Sequence, residues 1–368
     1  MRSLGLGLIG CGEVVFRETA PAIQAAGNAH LVRVMDIDVG RAASVGNDWG
    51  VPHTTSLDEV LADSKVDAVV VSTPHHLHVE QTLLACRAGR HVICEKPLAT
   101  SLEDADAMIA ACRNAKVQLG VALCSRYRDN AIQARALVQE GAIGQVIGIH
   151  LSLIGYKAES YWTGGYSERG HSTWRLSKAK AGGGVLMMNL LHDIDRLCWI
   201  TQCVPRRVSG ELDTFCTDAD VEDYVSATLR FDNGAIGTLN ATSCAVGRRG
   251  DGHRIVGTRG QIVFPDHHSL RVYLAEGTRE YPAEEWTEVR STAGPSPRQV
   301  FIERFAEAVS SGTDVDISGV DGRQCLQVVL ATYESARQGT AIEIPIPLTS
   351  VPSVDVIATR GGDSYVKT

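Results

Sequence analysis

At 368 residues, 44% of them hydrophobic and 21% charged, the chain exceeds one ordinary core and predicts two domains. A net charge of −8 with no run of five like charges excludes the basic stripe that nucleic acid or an anionic membrane would need, leaving a small molecule as the expected partner. The 10 cysteines are scattered without a C-x-x-C pair, which argues against a zinc site or disulfide framework and fits a reducing cytoplasm; no signal-peptide pattern or bilayer-length apolar run is seen.

From residue 1 to 122, short apolar runs alternate with helical patterns. Strands are predicted at 4–9, 31–36, 68–72, 91–95 and 117–121, and they are nearly continuously apolar, as strands of a parallel sheet covered on both faces must be. Helices are predicted at about 13–26, 39–48, 77–88 and 101–115. Gly27 and Gly89 stand where left-handed C-terminal caps belong, and Ser56-x-x-Glu59 and Thr100-x-x-Glu103 read as capping boxes. The alternation predicts an α/β Rossmann domain with a doubly wound parallel sheet over 1–122.

The pattern then changes. A helix at 129–140, a strand at 145–154, a loop at 155–173 and a helix at 184–200 lead into a β-rich stretch. In 225–231, Val225, Ala227, Leu229 and Phe231 alternate with polar residues, and Asp232-Asn233-Gly234 turns the chain into a strand at 235–243. Strands near 253–258, 261–264 and 270–274 and helices at 298–311 and 320–338 complete the expectation. It is an α+β domain over 123–345 with an open, largely antiparallel sheet. Residues 346–368 read as a C-terminal tail, mobile or wrapped on a neighbouring subunit.

Gly10-Cys11-Gly12 closes the first strand and opens the first helix. Such glycines permit a tight turn and let a pyrophosphate approach the amides at a helix N-terminus. Val15 stands where the third glycine of G-x-G-x-x-G would be, so the strand–turn–helix context carries the reading. Asp36, at the end of the second strand, is placed to accept hydrogen bonds from ribose hydroxyls and to repel a 2′-phosphate, which favours NAD over NADP. Arg41 dissents, because a guanidinium nearby would neutralise that phosphate. Glu13, Val14 and Ile37 flank these positions and are counted with the cofactor site. The alternative is a glycine-rich turn with no ligand.

Three further segments carry a resemblance. Ser72-Thr73-Pro74-His75-His76-Leu77-His78 follows one strand, Glu95-Lys96-Pro97 the next, and Trp174-Arg175 precedes Gly182-Gly183-Gly184 and His192-Asp193-Ile194-Asp195. Together with Arg126-Tyr127 they resemble the glucose–fructose oxidoreductase / inositol dehydrogenase (Gfo/Idh/MocA) family over nearly the whole chain. The resemblance implies sugar, cyclitol or related polyol substrates and a homodimer or homotetramer built through the open sheet of the second domain. It also implies a cofactor site that includes Ser72, Thr73, Pro74, His75, His78, Glu95, Arg126, Trp174 and Arg175, with Arg126 and Arg175 reaching the substrate as well.

The chemistry can be argued independently. Lys96 sits at the C-terminal end of a parallel strand, where open α/β sheets bind ligands, and its ammonium can stabilise a developing alkoxide and hold a proton. The alternative is a surface pair with Glu95. His192, on a helix entered from the triple glycine, has the pKa range for taking a hydroxyl proton; the alternative is a core histidine. The family's acid four residues before this histidine is replaced by Met188, so the usual acid–base team does not carry over whole. Asn189, three residues before, and Asp195, three after, lie on neighbouring helical faces. Either Asn189 takes over part of the role or Lys96 carries the proton while His192 positions the hydroxyl, and a shared arrangement in which Lys96 dominates is expected. Tyr156, Tyr161, Trp162, Tyr166 and Trp174 crowd one loop and suggest an aromatic sugar wall, or a subunit contact. Tyr127 is counted with the substrate residues. His75, His76 and His78 have no carboxylate or cysteine at ligand spacing, and no metal is expected.

The resulting expectation is an NAD-dependent dehydrogenase or ketoreductase acting on a secondary alcohol of a sugar, glycoside or cyclitol. Two rivals are a redox-neutral enzyme that retains NAD, for elimination or glycoside cleavage, and a ligand sensor on the same scaffold. Cofactor release on dialysis separates the first; the presence of both Lys96 and His192 argues against the second.

Overall fold

The apolar runs at the start of the chain stack side by side with every pairing parallel, as covering on both faces requires. In the computed structural model, which describes residues 2–165, 172–247, 252–291 and 294–344, the first sheet holds β1 Leu4–Ile9, β2 Ala29–Met35, β3 His53–Thr54, β4 Ala68–Val71, β5 His91–Cys94 and β6 Leu119–Val121. Their order is β3-β2-β1-β4-β5-β6, the doubly wound arrangement. All six residues of β1 are buried. The two-residue β3 was not expected, and the helix that the Ser56 capping box opens, Leu57–Ala62, was given no range because it is too short to show a period.

Two capping details differ from the expectation. Ser101, not Thr100, caps the helix Leu102–Ala115, its hydroxyl accepting from the Asp104 amide. Gly89 has φ +68° as expected, whereas the helix before Gly27 ends in an extended Ala26 and Gly27 is not left-handed. Ser56 caps its helix through the Glu59 amide.

Among the described residues the second sheet has nine strands: β7 Val146–Ile154, β8 Pro205–Asp213, β9 Tyr224–Phe231, β10 Ile236–Thr242, β11 His253–Gly257, β12 Gly260–Phe264, β13 Ser269–Leu274, β14 Trp286–Arg290 and β15 Ile342–Glu343. Their order is β14-β13-β12-β11-β7-β10-β9-β8-β15. All pairs are antiparallel except the central β7–β10 pair. In β9, Val225, Ala227, Leu229 and Phe231 are buried and the residues between them are exposed, so one face meets the core and the other lies open. The predicted loop at 155–173 contains a short helix, Glu159–Gly164.

Helices Pro297–Ser311 and Gly319–Gln338 serve both units rather than the second alone. Arg298 bonds Glu18, Thr19 and Glu95, and Arg323 bonds Asp106, all in the first unit. The Val121 amide donates to the Ile317 carbonyl. No helix among the described residues is long and apolar enough to cross a membrane. The predicted tail, 346–368, lies outside the described residues.

Candidate active site

The turn after β1 is shaped by what lies beneath it. Gly10 has φ +93°, and a Cβ there would stand 2.4 Å from the Ser72 carbonyl oxygen, so only glycine fits. At Gly12 a Cβ would meet nothing within 4 Å: the turn is open above the first helical residues, where an anion can approach. Asp36, buried at the end of β2, is clamped to this turn, one oxygen accepting from the Cys11 amide at 2.8 Å. Its other oxygen accepts from Arg41 at 2.9 Å. The acid and the dissenting guanidinium are therefore one ion pair. Ile37 beside them is 82% exposed, an apolar lip on the same edge. Glu13 pairs with Arg17 at 3.1 Å, and Val14 faces the cleft described below. The open glycine turn, the helix start and the carboxylate together fit a dinucleotide.

The Ser72–His78 segment lies across the turn. The Ser72 amide donates to the Ile9 carbonyl, and the Thr73 hydroxyl donates to Gln81 at 2.6 Å; Pro74 then leads into a short helical turn. The two histidines depart from expectation. His75 is buried, with Nδ1 2.7 Å from the Ala181 carbonyl and its ring against the Trp174 edge. His78 is wholly buried between the Pro97 and Thr73 carbonyls at 2.9 and 3.0 Å. Burial pushes both imidazoles below their usual range. His78 has no free edge for a ribose; both rings fasten loops.

Where the two sheets meet, a cleft of about 970 Å³ gathers Lys96, Met188, Asn189, His192 and Tyr156. Lys96 emerges from β5 at its C-terminal end, and its ammonium donates to the Met188 carbonyl. Burial, opposed by Glu95 and reinforced by Arg298, lowers its pKa to about 8. The expected alternative, a Lys–Glu surface pair, is not formed: the Glu95 carboxylate is buried and accepts from Arg298. His192 opens the helix Leu191–Thr201, which follows a π-helical turn, Leu186–Leu190. Such turns often mark functional sites, and here the turn upsets the simple four-residue spacing. Burial first, then Lys96, holds the imidazole well below its usual range, and its Nδ1 has no hydrogen-bond partner among the described residues.

No expected substitute orients His192. Asp195 is buried in a two-bond pair with Arg126, at 2.5 and 2.8 Å. Asp193, although adjacent, is held ionised, against its burial, by His253 and Arg196. His253 Nδ1 accepts from the Ser152 amide, so its Nε2–H faces Asp193. Asn189 lines the cleft but is bonded, together with Arg175, to the Tyr161 hydroxyl.

Other expected residues stand away from the cleft. Arg126 is turned toward Asp195 and Asp321 and does not line it, because two buried or half-buried carboxylates take its donors. Tyr127 sends its hydroxyl to Asp316 at 3.1 Å and packs on Phe301. Trp162 and Tyr161 belong to a small separate core with Ala181, Met188 and Val221. Arg175 stacks on Trp174 beside that core, with its guanidinium 4.7 Å from the ring centre. Of the predicted aromatic wall, Tyr156 faces the cleft; Tyr166 lies outside the described residues.

Three residues that matter here were missed. Arg128, two places after Arg126, lines the cleft in its stead. Arg298 fixes Glu95 from a helix 203 residues away, which no local pattern reveals. Glu222, buried before β9, accepts from the Gly184 and Leu186 amides at 2.6 and 2.9 Å and from the Tyr333 hydroxyl at 2.9 Å. It thereby anchors the chain entering the His192 helix. A Cβ on Gly184 would lie 1.8 Å from the Glu222 carbonyl oxygen, which explains a glycine there.

Comparison with known proteins agrees along the chain. Residues 4–123 match the oxidoreductase family with an NAD-binding Rossmann fold, GFO_IDH_MocA, and residues 131–263 match the GFO/IDH/MocA C-terminal domain. A 1,5-anhydro-D-fructose reductase from Ensifer adhaerens is 31% identical over 92% of this chain and 98% of its own length. A solved levoglucosan dehydrogenase in complex with NADH and levoglucosan is 27% identical with a TM-score of 0.82, covering 94% of this chain and all of that one. An aldose-aldose oxidoreductase from Caulobacter crescentus is 26% identical with a TM-score of 0.81, over 93% of this chain and 100% of its own.

Proposed function

The chain belongs to the GFO/IDH/MocA oxidoreductase family, and from that membership we propose that it moves a hydride between NAD(H) and a secondary alcohol or ketone of a sugar, glycoside or cyclitol. The observation that carries this is the convergence of Lys96, softened to about 8, and neutral His192 on one cleft at the C-terminal end of β5. Relatives named for sugar substrates support the substrate class.

NAD held at the glycine turn would supply the hydride acceptor. Lys96, steadied by the Met188 carbonyl, hydrogen-bonds the reacting hydroxyl and takes its proton at Nζ. His192 positions that hydroxyl, and the lack of a carboxylate on its Nδ1 among the described residues supports giving Lys96 the larger share. A screen of sugars, glycosides and inositols with NAD and NADP, read by the absorbance of the reduced nicotinamide, tests the proposal; no substrate-dependent reduction across the panel would sink it.

Only the neutral amine can accept a proton, so kcat/KM for alcohol oxidation should rise with pH through about 8 and then level. Ketone reduction, which needs the ammonium, should fall over the same range. A flat oxidation profile between pH 6 and 9 would count against Lys96 as the base.

For cofactor choice, the carboxylate at Asp36 supports NAD over NADP, by at least about tenfold or ~1.4 kcal/mol. Because Arg41 neutralises Asp36, Arg41→Ala should widen the preference by weakening NADP further. Fluorescence titration of both cofactors checks this; a variant that binds NADP better overturns it.

The open face of the second sheet, with Tyr224 and Ile236 exposed on neighbouring strands, supports a homodimer or homotetramer. The described cysteines are all unpaired, which supports a reducing, cytoplasmic setting.

A further inference from the structure

Arg128 is the one guanidinium lining the cleft that has no carboxylate partner of its own among the described residues, apart from pairs already spoken for. Arg298 holds Glu18 and Glu95, and Arg17 holds Glu13. Arg128 is half-buried and bonds only weakly, Nη1 to the His267 carbonyl at 3.4 Å, while its Nε is buried without a partner. The nearby acid, Asp193, is already committed to Arg196 and His253. Burial first, then the neighbouring Arg196, disfavours the charge on Arg128, and the ionised Asp193 offsets this only in part because it is already paired. A desolvated, unpaired guanidinium is costly unless a ligand completes it, and its planar fork matches an oxyanion with two oxygens. Gly10, Cys11 and Gly12 do not line this cleft, whereas Lys96 and His192 do. The charge therefore faces the substrate side and not the cofactor pyrophosphate.

We propose that Arg128 binds an oxyanion, carboxylate or phosphate, carried by the substrate, so that the enzyme acts on acidic sugars or polyols in preference to neutral ones. The inference rests on the dehydrogenase reading for what happens to the substrate, but not for its binding.

Titration calorimetry on the protein saturated with NADH, using D-glucose, D-glucuronate and D-glucose 6-phosphate as probes, tests it. At least one charged probe should bind ten times or more tightly than glucose, and the one that does identifies the oxyanion. Arg128→Gln should remove that selectivity, and Arg128→Lys, which keeps the charge, should retain most of it and guard against a merely unfolded variant. Equal binding of all three probes by the wild type overturns the proposal. So does an Arg128→Gln protein that weakens glucose and the charged probe alike, or that loses affinity for NADH. If charge-selective binding holds while no member of the wider panel is oxidised, the oxyanion site stands and the dehydrogenase reading falls. If only neutral polyols bind and turn over, the reverse is true.

Discussion

Alanine in place of Lys96 is expected to lower turnover by roughly 10²- to 10⁴-fold, the usual worth of a positioned acid–base group, with NAD affinity nearly unchanged. The reason lies in its surroundings. The ammonium sits in a buried cleft, tied to one backbone carbonyl, with Glu95 withdrawn by Arg298. Burial depresses its pKa, so the folded protein holds this charge less readily than water does. A neutral side chain of similar length should therefore not harm stability, and Lys96→Met should melt at or above the wild-type temperature while losing activity. His192→Ala should cost less turnover than Lys96→Ala, since among the described residues no carboxylate accepts a hydrogen bond from the His192 Nδ1. Asn189→Ala should weaken substrate use by freeing Tyr161. The three variants measured for kcat and KM under one set of conditions decide the matter. Near-normal turnover in Lys96→Ala, or His192→Ala as the most damaging change, would be inconsistent with it.

Loss of the Glu222 carboxylate should damage both stability and activity. Glu222→Ala leaves two buried amides and the Tyr333 hydroxyl without their acceptor. At about 1–3 kcal/mol for each unsatisfied group, partly relieved by water, the cost is roughly 3–5 kcal/mol. That corresponds to a fall in Tm on the order of 10 °C. Because the freed segment leads into Met188 and His192, the surviving folded protein should also show reduced kcat. Calorimetric melting with parallel kinetics checks this; a wild-type Tm in the alanine variant would show that the carboxylate is dispensable.

The reading of the sequence succeeded where chemistry is local. Apolar runs alternating with capped helices are enough to predict a doubly wound sheet, and Lys96 at a strand end and His192 after three glycines do meet in one cleft. It fell short where a partner is remote. Nothing near Arg126 shows that Asp195 and Asp321, 69 and 195 residues onward, will draw its side chain away from the cleft. Nor does the alternation in β9 and β10 reveal that β10 runs parallel to β7, since a period of two fixes the face of a strand and not its neighbour. Two adjacent hydroxyls satisfy the same pattern, and it is the one on the extended Ser101 that accepts from the Asp104 amide.

The return of the last two long helices to the first sheet has a consequence for how the protein is made. Glu95 waits for Arg298, 203 residues later, and Asp106 waits for Arg323, 217 residues later. At about 5–20 residues per second of synthesis, those acids emerge some 10–40 s before their partners. Through that interval the nascent cofactor domain carries acids whose burial is uncompensated, so its final locking is postponed until those two helices have been made. A ribosome-stalled chain ending near residue 290 should accordingly be cleaved by protease within residues 1–122 far faster than the released protein. Premature stops between β14 and those two helices would be felt first in the dinucleotide site, far upstream in the chain.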